Sequence, residues 1–282
     1  MSGITLLMQY YPAECYYYRN FNNEELSEAE LGVTPASFSC EDSTPFLLVN
    51  IGTGISIMRV NNFDDYARVG GSSLGGGTFF GLCSLLTGCH TFSEALELAS
   101  RGDSRNVDML VRDIYGGDYQ RFGLSGDTVA SSFGQMMIPD KRKTAKPEDI
   151  AKALLVTLTN NIGSIALMLA RAEKLERIIY VGNFLRGNLV AKRLLSFALN
   201  YWSGGTMKAY FMKHEVACDI RTILTPTLTP TNLYAQSVYK LISRTCATLG
   251  LSWSVRCTSA ELERLLEASR RTTLAEASHS DS

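Results

Sequence analysis

The sequence lacks the histidine and cysteine patterns that a metal centre or a disulfide framework requires. Its 282 residues include only three histidines, which lie far apart at His90, His214 and His279, and we interpret each as a surface or packing residue. Seven cysteines, an odd number, are scattered without CxxC spacing, which favours reduced thiols in a cytosolic protein over disulfides or a zinc site. No metal site is therefore predicted.

The sequence also lacks an excess of charge of either sign, and it has no long apolar runs. The 27 basic and 28 acidic residues give a net charge of −1, so nothing in this balance points to nucleic acid or a membrane surface. No run of 18 or more apolar residues occurs, so no membrane span is expected. The start of the chain has no basic segment before its apolar stretch and makes a poor signal peptide. We expect a cytoplasmic globular protein of one or two domains.

A first glycine turn follows an apolar strand pattern near residue 50. The β-branched run Phe46–Ile51 predicts a buried strand, Gly52-Thr53-Gly54 a turn, and Ile55–Val60 the returning strand of a hairpin. Thr53 and Ser56 can offer hydroxyl groups beside this turn. A lone Gly-x-Gly is more often only a turn than a phosphate site.

A second glycine turn, Gly75-Gly76-Gly77, follows a short apolar run at residues 66–69 and leads into a predicted helix over residues 78–86. Glycine lets the backbone approach a phosphate closely, and free amides at a helix start would suit an anion. Arg68 lies beside this turn as a fixed cation for a carboxylate or a phosphate. The two turns and Arg68 together therefore indicate an anion site.

The later segments show helix and strand patterns that we predict to form core. A capping box at Thr91-Phe-Ser-Glu94 starts one helix, and a second apolar stripe runs from Val107 to Ile114 and ends at Gly116-Gly117. Pro147 opens the longest helix, whose apolar face must be buried against the core or another subunit. Apolar strands are predicted at residues 14–18, 178–181 and 208–215, and the polar stretch 20–42 is predicted to be a surface loop.

Two polar clusters leave alternatives open. Asp113, Asp118 and Arg121 suit acid–base chemistry, but a capped helix end with solvated charges is the favoured interpretation. Asn160-Asn161 and Gly163 interrupt the apolar face of the longest helix. They permit close approach of a loop or a partner helix, although a core helix without functional contacts explains them equally well.

Four motifs together resemble the eukaryotic-type (type II) pantothenate kinases. They are Asn50-Ile-Gly-Thr-Gly-Ile-Ser56, Arg68-Val-Gly-Gly-Ser-Ser-Leu-Gly-Gly-Gly-Thr78-Phe, Asp113-Ile-Tyr-Gly-Gly-Asp-Tyr119 and Val181-Gly-Asn-Phe-Leu-Arg186. The motifs occur in the family's order. The resemblance implies residues 1–215 as a kinase-like domain, incomplete at its N-terminus, and residues 216–282 as a divergent tail with a linker and one or two helices.

The resemblance implies an α/β fold and a phosphotransferase activity. The fold would be the actin-like or hexokinase-like (ribonuclease H-like) kinase lobe, a mixed sheet with helices on both faces and the first lobe largely missing. The activity would be ATP-dependent phosphorylation of pantothenate to 4′-phosphopantothenate in coenzyme A biosynthesis, with Mg²⁺ on the nucleotide. The family also implies a homodimer and acyl-CoA as a feedback regulator.

Site residues carry over by their positions in the motifs. The ATP side would be formed by Gly52, Gly54, Gly75, Gly76, Gly77, Gly182 and Asn183. Pantothenate or acyl-CoA would be held by Thr53, Ser56, Arg68, Ala130 and Trp202. Arg68 would pair with the pantothenate carboxylate or a coenzyme A phosphate, and Trp202 would otherwise be an ordinary core anchor.

Two departures from the family leave more than one function open. The family's Asp-Ile-Gly-Gly phosphate loop and its catalytic glutamate would lie before Met1, so no catalytic residue is predicted within the chain, and residues after Glu215 diverge. Losing a general base typically costs a factor of about 10² to 10⁴ in rate. The chain is therefore expected to be a pantothenate kinase or, alternatively, a catalytically inactive truncated form that binds acyl-CoA or dimerises with a full-length kinase. A fragment that does not fold alone is a third interpretation.

Overall fold

The computed structural model describes residues 15–21, 30–36, 45–62 and 65–213, all of which belong to one compact unit. The predictions for residues 4–11, for His214 and His279, and for residues 216–282 lie outside the described residues. The strands are β1 (Cys15–Tyr18), β2 (Val33–Pro35), β3 (Phe46–Ile51), β4 (Ile55–Val60), β5 (Tyr66–Ser72), β6 (Met109–Leu110), β7 (Val129–Ser131), β8 (Ile178–Val181) and β9 (Ala209–Met212).

Six α-helices occur in the same part of the chain. They are α1 (Gly76–Thr87), α2 (Phe92–Arg101), α3 (Val111–Tyr115), α4 (Pro139–Thr144), α5 (Pro147–Ala172) and α6 (Leu189–Ser203). Short 3-10 turns occur at Ser104–Asn106, Gln120–Phe122, Gly134–Met137 and Asn183–Leu185. The predicted capping box is confirmed, because Thr91 and Glu94 cap the start of α2 reciprocally.

Seven strands form one mixed sheet in the order β2-β1-β9-β8-β3-β4-β5. The central strands β9, β8 and β3 are parallel, and β4 and β5 extend the sheet antiparallel on one side. Strands β1 and β2 extend it antiparallel on the other side, while β6 and β7 form a separate ribbon. The predicted α/β class with a mixed sheet is therefore confirmed.

Alternating side chains of the central strands separate the two faces of the sheet. Leu47, Val49 and Ile57 are fully buried in the cluster that α5 and α6 complete, and we call this side the helical face. Phe46 and Leu48 point to the opposite face, where they are also fully buried. The described helices do not test whether a second helical layer covers the opposite face, so that detail stays a prediction.

Helix α5 is the central helix of the core. By length and composition it is apolar enough to cross a membrane, with a mean hydropathy of 1.7 in its most apolar window, but 61% of that window is buried inside the protein. The helix contacts α1, α2, α6, β3 and β8, as a core helix does. A Cβ on Gly163 would lie 3.3 Å from the Cβ of Ala198 in α6. The close approach predicted at Gly163 is therefore made by a helix of the same chain.

Two local predictions are wrong. Residues 33–35, predicted to be part of a loop, form β2, which pairs with β1 beside the fully buried Leu31. The helix predicted along Val107–Ile114 is confined to Val111–Tyr115, because the Asp113 carboxylate accepts a hydrogen bond from the Leu110 amide and caps the helix there. Ile114 is consequently exposed rather than part of the core stripe.

Candidate functional site

Three glycine turns meet at the carboxyl ends of the adjacent parallel strands β3 and β8. The amide of Gly76 donates to the carbonyl oxygen of Gly52, and the amide of Gly77 donates to that of Thr53, both at 2.9 Å. The third turn begins at Gly182, directly after β8, and its backbone lies against the end of β3. The structure thus brings the predicted ATP-side glycines together at the edge where α/β sheets usually bind ligands, and we call this junction of the three turns the glycine crevice.

Glycine is required in this crevice because protein backbone fills the space of a side chain. A Cβ on Gly75 would lie 2.7 Å from the Cα of Gly54, closer than real Cβ contacts allow. Gly182 has a φ of +115°, and a Cβ there would lie 2.7 Å from Oδ1 of Asn50. The glycines therefore first serve the packing of the three turns against one another.

The start of helix α1 is not a set of free amides. Gly76 and Gly77 donate to the first turn, and the amide of Gly75 donates to Oγ1 of Thr78 at 3.3 Å. The expectation that these three amides are available to an anion is therefore wrong, since a backbone donor already paired inside the protein has no hydrogen left for a ligand. The assignment of these residues to the nucleotide side stays a prediction.

Ser56 and Arg68 lie on the face of the sheet opposite the helices. Ser56 is on β4 between Ile55 and Ile57, whose side chains enter the helical-face core, so the Ser56 hydroxyl points the other way. Ser56 pairs with Gly71 on β5, and the exposed Arg68 guanidinium lies over Gly71, where a Cβ would collide with it. Thr53 is exposed in the turn that precedes β4. Ser56 and Arg68 therefore share one face of the sheet, while the Thr53 side chain lies beside the start of α1, where its Cγ2 would be 2.6 Å from a Cβ on Gly77.

Ala130 and Trp202 lie on the helical side of the sheet instead. Trp202 is 44% exposed near the end of α6, so it is not a core anchor. It lines a cavity of about 370 Å³ with Tyr201, Thr128 and Val129, next to the exposed Ala130. Within one copy of the chain, these two predicted acyl-CoA residues and Arg68 are therefore on opposite sides of the sheet.

Two acidic residues, Asp113 within α3 and Asp118 after it, hold backbone amides. Asp113 accepts from the Leu110 amide at 2.8 Å, and Asp118 accepts from the Gly126 amide at 2.6 Å. The favoured interpretation of a capped helix end is confirmed. No group of three His, Cys, Asp or Glu side chains that could hold a metal ion is found in the part of the chain that the structure describes.

Sequence reasoning missed one unusual group, the carboxyl of Asp108. Its side chain is fully buried, and burial raises the pKa of Asp108 to about 6. Only its position directly after the apolar stripe residue Val107 could have indicated burial, and the partner that it contacts is 25 residues further along the chain.

A mixed sheet with glycine turns meeting at the carboxyl ends of two parallel strands defines an α/β protein with a crevice at its sheet edge. The family model named Fumble matches residues 1–217. The chain belongs to the Fumble family.

Curated relatives match about three fifths of the chain. The pantothenate kinase of Schizosaccharomyces pombe (strain 972) is 48% identical over 174 residues, which cover 61% of this chain and 43% of that protein. The 4′-phosphopantetheine phosphatase of Mus musculus is 49% identical over 171 residues, which cover 61% of this chain and 21% of that protein. The chain thus spans less than half the length of these relatives.

A solved structure of ligand-bound xylulose kinase from Lactobacillus acidophilus is also similar. It aligns with 82% of this chain and 47% of its own, at 16% identity and a TM-score of 0.38.

Proposed function

We propose that this chain functions in the ATP-dependent phosphorylation of pantothenate to 4′-phosphopantothenate. The observation that carries the proposal is the meeting of three glycine turns, one of which contains Thr53, next to the strands that carry Ser56 and Arg68. The identity of 48% to a protein named pantothenate kinase supports the choice of substrate. ATP would lie over the glycine crevice, with Gly182 and Asn183 beside the adenosine. Pantothenate would lie beside Thr53, Ser56 and Arg68.

Phosphoryl transfer depends mainly on positioning and on neutralising phosphate charge. The Arg68 guanidinium can hold the pantothenate carboxylate in two parallel hydrogen bonds, while the hydroxyls of Thr53 and Ser56 orient the rest of the molecule. Bound Mg²⁺ supplies charge neutralisation in kinases, but the described residues form no metal site of their own. The Asp113 carboxylate already caps α3, and the Asp118 carboxylate already accepts from the Gly126 amide.

The acyl-CoA and homodimer parts of the proposal follow from the two faces of the sheet. Arg68 and Trp202 cannot share a site within one copy, because they lie on opposite sides of the sheet. A second copy that places its Ala130 and Trp202 beside Arg68 would complete an acyl-CoA pocket. The cytoplasmic location remains part of the proposal and is supported by the buried, unbridged thiols of Cys83 and Cys89.

The first test is formation of 4′-phosphopantothenate from ATP and pantothenate by the purified 282-residue chain. Arg68→Ala should lower kcat/KM for pantothenate by roughly ten- to a hundredfold, since hydrogen bonds to charged groups contribute about 1.5–3 kcal/mol. Arg101→Ala is the matched control, because Arg101 is an exposed cation on α2 that pairs only within its own helix. Equal activity of both variants would refute the role of Arg68.

The second test mixes two variants that should damage the same pocket from different copies. Arg68→Ala and Trp202→Ala are expected to bind acetyl-CoA weakly as separate homodimers. After co-refolding, half of the dimers are mixed and each carries one intact pocket, so about a quarter of the binding capacity should return. No recovery in a preparation that is dimeric by light scattering would refute the shared pocket.

A non-catalytic function is the second candidate. The mouse relative, which is named for a phosphatase activity, is as similar to this chain as the Schizosaccharomyces pombe kinase is, so similarity to this chain does not require kinase activity. The chain would then bind acyl-CoA or pair with a full-length kinase. Acetyl-CoA binding without formation of 4′-phosphopantothenate would support this candidate over the first.

A further inference from the structure

Asp108 makes an unusual contact for a fully buried carboxylate. Its Oδ1 accepts a hydrogen bond from the amide of Phe133 at 2.8 Å, and the Ser104 side chain also interacts with the carboxyl, while Oδ2 makes no well-formed hydrogen bond among the described residues. The Asp108 amide in turn donates to the carbonyl oxygen of Ser104 at 2.7 Å. Asp108 is therefore fixed at its backbone and directs its side chain at a segment 25 residues away.

That segment needs an external acceptor. Phe133 precedes the 3-10 turn Gly134–Met137 and has a φ of +59°, in the left-handed region that residues with a side chain seldom occupy. An amide at such a position has no partner within the turn that follows it. The Asp108 carboxylate supplies that partner, and the Phe133 ring packs against the core cluster. The backbone amide and the ring of Phe133 are thus both held in place.

Two further contacts close the turn onto the segment that carries Asp108. The amide of Gln135 donates to the carbonyl oxygen of Val107 at 3.1 Å. A Cβ on Gly134 would lie only 2.5 Å from the Cβ of Met109. The backbone of residues 133–135 therefore lies directly on residues 107–109, with Asp108 at the centre of the contact.

The turn that Asp108 holds affects the position of Ala130. Met109 pairs with Ser131, and Leu110 pairs with Val129, so Ala130 is the extra residue of a bulge between β6 and β7. A bulge turns its residue away from the regular alternation of the strand and re-aims the side chain. The position of the bulge depends on where the strand ends, and the strand ends at the turn that Asp108 holds.

The geometry points to Asp108 as a positioning residue that clamps the turn at Phe133 and thereby sets how the Ala130 bulge is presented to an acyl-CoA ligand. This inference rests on the proposed function for the role of Ala130. Asp108 does not touch the ligand in this arrangement, since it is fully buried.

The test compares Asp108→Ala, which removes the acceptor, with Asp108→Asn, which keeps an acceptor oxygen of the same shape. Asp140→Ala is the control, because its side chain is 93% exposed on α4. Amide hydrogen exchange of residues 129–137 and titrations with acetyl-CoA and with a non-hydrolysable ATP analogue are measured on each. Asp108→Ala should speed exchange in this segment at least tenfold and weaken acetyl-CoA about tenfold, with the ATP analogue unchanged within twofold. Asp108→Asn should restore acetyl-CoA binding to within threefold.

Three outcomes would overturn the inference. Exchange in residues 129–137 that is unaffected by Asp108→Ala would show that no clamp exists. Equal loss of both ligands would show a general structural role instead of a positioning one. Faster exchange with unchanged acetyl-CoA binding would show that the clamp exists but does not affect the acyl-CoA site. If the unsubstituted chain does not bind acetyl-CoA, the acyl-CoA part of the proposed function fails, and with it the role of the clamp in ligand presentation.

Discussion

The amide of Gly77 donates a hydrogen bond of 2.9 Å to the carbonyl oxygen of Thr53. This bond joins the start of helix α1 to the turn between β3 and β4, and a parallel bond from Gly76 to Gly52 doubles it. Thr53 is thereby held by its backbone while its side chain stays exposed. The glycine-rich sequences of the two turns therefore act first on each other, and any ligand meets a crevice that is already assembled.

Substitution of Gly75 should disrupt this crevice. A methyl group there would lie 2.7 Å from both the Cα of Gly54 and the carbonyl oxygen of Thr53, and neither backbone atom can rotate away. We expect Gly75→Ala to lower the free energy of unfolding by about 1–3 kcal/mol and to abolish binding of an ATP analogue. Urea unfolding and calorimetric titration measure the two effects.

Gly81, in helix α1 that follows Gly75, provides the control for Gly75. No atom lies within 4 Å of a Cβ built at Gly81, so Gly81→Ala should raise the free energy of unfolding by about 0.5–1 kcal/mol through helix propensity. Similar losses at both positions would mean that the contact between the turns does not depend on the absence of a side chain.

The crossing of α5 and α6 at Gly163 should tolerate little added volume. With a Cβ at Gly163 already 3.3 Å from Ala198, Gly163→Leu would force the helices apart and cost about 1–3 kcal/mol of unfolding free energy. Asn161→Leu, an apolar substitution at an exposed position of the same helix, should change stability by less than about 0.5 kcal/mol. Thermal and urea unfolding measure the stability of the two variants. A smaller loss of unfolding free energy for Gly163→Leu than for Asn161→Leu would contradict the prediction.

The ion pair between Arg59 and Glu173 ties β4 to the end of α5. Arg59 Nη1 lies 2.9 Å from Glu173 Oε2, and the two side chains are 38% and 28% exposed. Solvent screens such a pair, so Glu173→Gln should cost less than about 1 kcal/mol, and the loss should shrink at high salt concentration. A double-mutant cycle with Arg59→Gln isolates the pair, and a coupling that does not respond to salt would refute the electrostatic origin.

Local sequence patterns predicted the elements whose contacts are made by residues close together in the chain. The hairpin Phe46–Val60 follows from alternating apolar side chains around a glycine turn, and the start of α2 follows from its capping box. The three-residue strand β2 carries no pattern of its own, because the pairing with β1 that forms it comes from elsewhere in the chain. The pairing of the Gly76 and Gly77 amides was missed for the same reason, since their acceptors lie in a different turn.

The Ala130 bulge and the burial of Asp108 show the same limit at the candidate site. Neither residue lies in a local pattern that sets it apart, and each acquires its role only when β6 pairs with β7. The motifs that resemble a known family identified Ala130, but they could not show that it lies on the opposite side of the sheet from Arg68. The placement of these two residues on opposite sides depends on how the strands and helices of the fold are connected.

Asp108 should make the stability of the protein depend on pH in a direction opposite to most carboxylates. Burial raises the pKa of Asp108 from 3.8 to about 6 in the folded protein, so the folded state favours the protonated form. The resulting stabilisation is fully present below the unfolded pKa and is lost as the pH rises through the folded pKa. A difference of this size between the folded and unfolded pKa corresponds to about 3 kcal/mol.

Asp108→Asn cannot titrate and therefore isolates this effect. Glu94 and Asp103, whose pKa values hydrogen bonds lower, act in the opposite direction but equally in both proteins. The free energy of unfolding of the unsubstituted chain minus that of Asp108→Asn should fall steadily between about pH 4 and pH 6 and stay constant above it. Urea unfolding at closely spaced pH values measures the difference. Parallel profiles would mean that the hydrogen bonds from Phe133 and Ser104 fully offset the effect of burial on the Asp108 carboxyl.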